Sequence, residues 1–210
     1  MQLNALFYMC RNFTFFFLLF TSSVISQTFT VDGKYEMIFR KSLFVPRNEI
    51  RTTSWGINAA PGFKKIQIRF EIKTLSGKTE FFDPNKFYIV SESYHIRVRP
   101  VDFTFHDFLL NFTSFNKLSQ EPTEGKYGHL LEYKPEIKDY YNDYKIPNFE
   151  DIEIPLNFGD NKKPFIRKTY SEPKKWKSNL IDIYVIIPED LNTFQLYYGA
   201  QNIMEITPTH

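Results

Sequence analysis

Residues 65–73 read Lys-Ile-Gln-Ile-Arg-Phe-Glu-Ile-Lys, a strict alternation of apolar and polar side chains. Successive side chains of an extended strand point to opposite faces. Ile66, Ile68, Phe70 and Ile72 therefore share one face, and Lys65, Gln67, Arg69, Glu71 and Lys73 share the other. Such a strand belongs to an antiparallel sheet with one side on a core and one side in water. Composition agrees. Beyond residue 26 there are 17 Phe, 12 Tyr and 2 Trp but only three Ala, Ala59, Ala60 and Ala200. Many aromatics and few alanines favour sheet over helix.

Further strands follow along the chain. Residues 35–39 read as the first. Residues 81–82 and 87–90 flank Asp83-Pro-Asn-Lys86, a loop with turn chemistry. Residues 94–99 alternate again and stop at Pro100, and 101–108 continue as a strand. Residues 180–187, closed by Pro188, then 194–198 and 202–207 complete the set. Several short strands separated by turn signals, with no long helical period, predict a β-sandwich. A chain of 210 residues is long enough for one such domain with a real core.

Residues 112–178 have a different character. Six prolines fall there, namely Pro122, Pro135, Pro147, Pro155, Pro164 and Pro173. Proline at this density interrupts helices and central strands. The stretch also holds Tyr127, Tyr133, Tyr140, Tyr141, Tyr144, Phe149, Phe158 and Phe165, too many rings for a disordered linker. It reads as a long ordered insertion packed on the sandwich, with short strands at 128–133 and 151–154.

The N-terminus reads as an export signal. Residues 13–20 form an apolar run with Arg11 before it, and Val24 and Ser26 suit a cleavage site before Gln27. Met9 is the more ordinary start for such a signal. The apolar stretch from 13 to 25 is shorter than the roughly 20 residues a spanning helix needs. No stable membrane span is expected after cleavage. The one cysteine, Cys10, precedes the apolar run, so residues 27–210 contain no thiol for a disulfide, a nucleophile or a metal site. Asn111-Phe-Thr113 matches a glycosylation sequon, a match short enough to arise by chance.

The strand at 66–72, the segment Phe82-Asp-Pro-Asn-Lys-Phe87 with the strand to Val90, the strand ending near Arg99-Pro-Val-Asp102, and the hairpin 185–198 with its Pro188-Glu-Asp turn carry a resemblance. The chain resembles the extracellular immunoglobulin-like sandwich domains of unknown function found in secreted proteins and lipoproteins of bacteria, over residues 60–110 and 178–206. The resemblance implies an all-β, antiparallel immunoglobulin-like β-sandwich with an envelope location, and it transfers no catalytic residues. The Pro- and Tyr-rich stretch at 112–178 departs from that pattern.

Specific chemistry is sparse. A metal could use His106 and His129 with Asp102, Asp107 or Glu132, but the spacing follows no metal-ligand motif. There is no Gly-x-Ser-x-Gly for a serine hydrolase. Asp160 and Asn161 offer too few oxygens for a calcium loop and read as a turn. No cofactor is implied. His95, Arg97 and Arg99 share a strand face that, with Lys65, Arg69 and Lys73, makes either a basic patch for acidic glycans or headgroups, or a solvated sheet face. The whole-chain net charge of +2 gives no electrostatic footprint for nucleic acid or for an anionic membrane. The tyrosines lead instead. Tyr140, Tyr141 and Tyr144 beside Lys138 and Lys145 place amphipathic rings on a loop, where they either bind a partner or cap the core. The expected function is a secreted or periplasmic, non-enzymatic module that binds a protein or glycan of the cell envelope. The alternatives are a structural component of an envelope assembly and, below it, a metal-dependent envelope hydrolase.

Overall fold

The computed structural model describes residues 27–45, 59–106, 112–123, 125–158 and 162–209. The export segment, Asp107, Asn111, Asp160 and Asn161 lie outside the described residues. Among those described there are eighteen strands and a single four-residue α-helix, so the chain is mostly β. In chain order the strands are β1 (Thr28–Val31), β2 (Tyr35–Val45), β3 (Phe63–Thr74), β4 (Glu80–Phe82), β5 (Phe87–Ser91), β6 (Ile96–Val98), β7 (Asp102–His106), β8 (Phe112–Ser114) and β9 (Lys117–Ser119). They continue as β10 (Glu132–Tyr133), β11 (Glu150–Ile152), β12 (Leu156–Asn157), β13 (Ile166–Arg167), β14 (Tyr170–Ser171), β15 (Lys174–Trp176), β16 (Ser178–Pro188), β17 (Phe194–Tyr198) and β18 (Gln201–Ile206). The helix α1 is Tyr140–Asp143.

A six-stranded sheet runs β1-β2-β3-β16-β7-β8 and is antiparallel throughout. A five-stranded sheet runs β11-β6-β5-β17-β18 and is antiparallel except for the parallel pair β11 and β6. The two share one continuous core. Ile66, Ile68, Phe70 and Ile72 of β3 and Ile181, Ile183, Val185 and Ile187 of β16 meet Ile89, Val98 and Leu196 of the other sheet there. All eleven have no exposed surface, as the alternation requires. At one end of this core Phe82 stacks on Trp176 and Tyr198, with ring centroids 5.4 and 5.6 Å away.

Several expectations need correction. The chain begins one strand earlier than residue 35, because β1 pairs with β2. Residues 125–130 coil into a 3-10 turn, so the strand expected at 128–133 shrinks to β10, which runs parallel to β9. The polar face of β3 is solvated only in part. Lys65 and Gln67 are 7% and 1% exposed, because Val101, Tyr184 and Ile186 gather Ala59, Phe63 and Ile154 into a second apolar cluster over that end of the sheet.

The stretch 112–178 is also more deeply woven in than a packed loop. It supplies edge strand β8 to the six-stranded sheet and β11 to the five-stranded one, and its β15 pairs with β4. Proline keeps its strands short, since each one removes a ladder donor.

Candidate functional site

The arginines of β6 organise the region around α1. Ile96 and Val98 enter the main core, so Arg97 points to the outer face of the sheet. It is nevertheless fully buried. Its Nε donates to Asp151 Oδ1 at 2.7 Å, and its Nη1 donates to the backbone oxygens of Tyr141 and Tyr144. The guanidinium lies 4.1 Å from the centre of the Tyr141 ring, and the Tyr141 hydroxyl donates back to the Arg97 carbonyl at 2.8 Å.

Two residues on, Arg99 enters a four-charge network. It pairs with Asp139 at 3.0 Å and with Glu153 at 2.7 Å. Lys168 contacts the same two carboxylates at 2.7 and 2.9 Å, and the Tyr170 hydroxyl donates to Asp139. These partners neutralise the arginines internally. The expected basic patch of His95, Arg97 and Arg99 is therefore not formed, and neither is a solvated face. His95 sits in the β5–β6 turn with φ of 51° and packs edge-on against Phe149.

The same contacts place the expected tyrosine site. Tyr141 is 1% exposed and forms a small core with Tyr88 and Val90. Its ring is committed to packing and offers no face to a ligand, which corrects the expectation for this residue. Tyr144 is half-buried, stacked on Tyr88 at 6.2 Å. It lies so close to Gly199 that a Cβ there would meet its hydroxyl oxygen at 3.4 Å. Gly199 also has φ of +61°, a conformation that glycine adopts without strain. Tyr140 is half-exposed, with the ammonium groups of Lys138 and Lys86 at 4.7 and 5.3 Å from its ring centre. Lys138 pairs with Asp143 at 2.9 Å, and Lys145 is exposed. Of the five expected site residues, Tyr140, Lys138 and Lys145 remain presented to solvent.

Sequence reasoning missed Asp139, Asp151, Glu153 and Lys168. The available signal was the outward phase of Arg97 and Arg99 on a strand with acidic residues downstream, but nothing in the order of residues said which acids would meet them. Beside their network opens a cleft of about 260 Å3. Pro100, Val101, Ile154, Pro155 and Leu156 give it an apolar lining, and Arg99, Glu153 and Lys168 a charged one. A larger depression of about 400 Å3 is lined by Ser114, Asn116, Lys117, His129 and Glu132. Lys117 there makes a buried ion pair with Asp102.

His129 lines the larger depression. His106 faces Asp182 across 3.3 Å, and Arg69 donates to both oxygens of the same carboxylate. Among the described residues no group of three or more His, Cys, Asp or Glu is arranged to hold a metal ion. No family model, curated protein or solved structure matches this chain.

The network has a pH signature. Burial alone raises the Asp139 carboxyl, but the hydrogen bond from Lys168 and the charge of Arg99 outweigh it and leave Asp139 below the usual carboxylate value. A depressed carboxyl stabilises the fold above its unfolded pKa of about 3.9, and that contribution is lost as pH falls through the lower folded value. The urea midpoint of Asp139→Asn is therefore expected to fall below that of the parent at pH 7, and the gap to close as pH falls through the lowered carboxyl value. A gap that stays constant as pH falls refutes the assignment.

Proposed function

We propose that this chain is an exported, non-enzymatic immunoglobulin-like β-sandwich domain that recognises a protein or glycan partner of the cell envelope. The recognising face is the one built by residues 112–178. The observation that carries this reading is the cleft of about 260 Å3, with its apolar and charged linings, set beside a base anchored by Arg97 and Arg99. A concave, mostly apolar recess with a few polar groups on a rigid base is what ligand sites commonly share. Half-exposed Tyr140 and exposed Lys138 and Lys145, in the same 112–178 stretch, add amphipathic and cationic groups that a partner could use.

Pro155 lines the cleft and is exposed. It has no backbone N–H to lose, so Pro155→Trp obstructs the recess with little disturbance to hydrogen bonding. Residues 27–210 and the variant are immobilised and exposed to a detergent extract of the cell envelope, and bound proteins and glycans are identified by mass spectrometry. One dominant partner captured by the parent and lost by Pro155→Trp supports the reading. Equal capture by both removes the cleft from it.

The assembly reading rests on a different observation. Among the described residues β18 pairs only with β17, leaving six residues of open sheet edge. Open edges are templates for strand addition. A monomer in analytical ultracentrifugation at tens of micromolar would remove this reading.

A further inference from the structure

The two most exposed large apolar side chains among the described residues lie at the end of the core where Phe82 stacks. Leu75 is 53% exposed and Phe81 is 62% exposed. Leu75 directly follows β3, and Phe81 is the middle residue of β4. Hydrogen bonds tie this end together. The Leu75 N–H donates to the Lys34 carbonyl at 2.8 Å, and the Thr74 N–H donates to the Lys177 carbonyl at 2.9 Å. The Thr74 hydroxyl donates to the Lys78 carbonyl at 2.7 Å, and the Tyr35 hydroxyl donates to the Phe81 carbonyl.

In the β4–β15 ribbon Phe81 stands opposite Lys175. Phe82 and Trp176 turn the other side of that ribbon into the core. The Lys175 ammonium lies 4.5 Å from the centre of the Phe81 ring. Lys34, Lys78, Lys175 and Lys177 are all exposed, and none of the four has an acidic partner among the described residues. The nearby acids are otherwise engaged or half-buried. Asp32 pairs with Lys86, Glu80 accepts from Ser76, and Glu36 stands opposite Lys73 in the β2–β3 register. Positive charge therefore surrounds two projecting apolar groups.

The geometry points to this end as a docking surface for an anionic phospholipid membrane. Each exposed lysine within a Debye length of a phosphate headgroup layer raises the partition about fivefold. A soluble polyanion uses the lysines but gains nothing from Leu75 and Phe81. An acidic protein needs a pocket shaped to each of them. A lipid interface takes both features as they stand, because its fluid acyl boundary lies directly beneath the charged layer. None of these residues lines the cleft, so the inference stands apart from the recognition site proposed above.

The test uses residues 27–210, which hold every described element, in cosedimentation with vesicles of phosphatidylglycerol and phosphatidylcholine at about 50 mM salt. Retention on immobilised heparin is measured in parallel. Binding to the anionic vesicles, absent with pure phosphatidylcholine and weakened at about 300 mM salt, is expected. Lys78→Glu with Lys177→Glu lowers the vesicle partition at least about tenfold. Leu75→Ser with Phe81→Ser lowers it at least about tenfold while leaving heparin retention unchanged. Leu75→Ser alone, in a turn outside every strand, lowers it at least about threefold. Far-UV circular dichroism is unchanged in each variant. Heparin retention without vesicle binding, equal binding to neutral vesicles, or a Leu75→Ser variant that binds anionic vesicles like the parent each overturn the proposal.

Discussion

Replacing Arg97 with methionine is expected to lower the unfolding free energy by about 3 to 5 kcal/mol. The side chain is completely buried and donates to two backbone carbonyls, those of Tyr141 and Tyr144, as well as to Asp151. Methionine fills much of the space but donates nothing. Each abandoned buried acceptor costs about 1 to 3 kcal/mol. Asp151 contributes less to the loss, since its side chain keeps 29% exposure and water can replace the guanidinium. Asp151→Asn is accordingly expected to cost no more than about 1 kcal/mol. Urea unfolding followed by circular dichroism measures both variants. A loss below about 1 kcal/mol for Arg97→Met, within the range of ordinary surface changes, refutes the view that this arginine anchors the α1 region. Limited proteolysis gives the local reading: cleavage within residues 136–146 should accelerate in Arg97→Met before the rest of the chain is attacked.

Phe82→Ala is expected to cost a similar amount, about 3 to 5 kcal/mol, through a different mechanism. Phe82 has no exposed surface and meets Tyr35, Phe87, Trp176 and Tyr198 ring to ring. Truncation opens a cavity among rigid rings that cannot easily collapse to fill it. For a domain of this size the thermal midpoint should fall by roughly 6 to 20 °C. Calorimetry measures it, and a drop under about 3 °C shows that the surrounding rings repack. The position also joins two parts of the chain. Phe82 lies on β4, which pairs with β15, so this cavity loosens the end of the 112–178 stretch as well as the main core.

These two residues differ in how far they were legible. Phe82 was legible only as half of an apolar pair before a turn; adjacent strand residues face opposite ways, and it took the structure to show Phe82 buried and Phe81 62% exposed. Period-two patterning does identify Ile66, Ile68, Phe70 and Ile72 as one apolar face, and the structure buries all four. Arg97 alternates with Ile96 and Val98, and that alternation correctly gave its outward phase. It said nothing about what covers the outer face. Tyr141 shows the converse problem. Its place in a polar, proline-containing stretch left open whether the ring binds a partner or caps the core, and only the structure shows it closing a second core over Tyr88.

Strand content, the inward face of β3, and the distinct character of 112–178 were determined by the sequence alone, because alternation and turn chemistry act between near neighbours. Only the tertiary structure decided that Arg97 meets Asp151, that Arg99 and Lys168 share Asp139 and Glu153, and that a cleft opens beside them. The partners of each arginine lie 40 to 54 residues away along the chain. Their meeting depends on the path of 112–178 back across the sheet, and local patterning carries no information about that path.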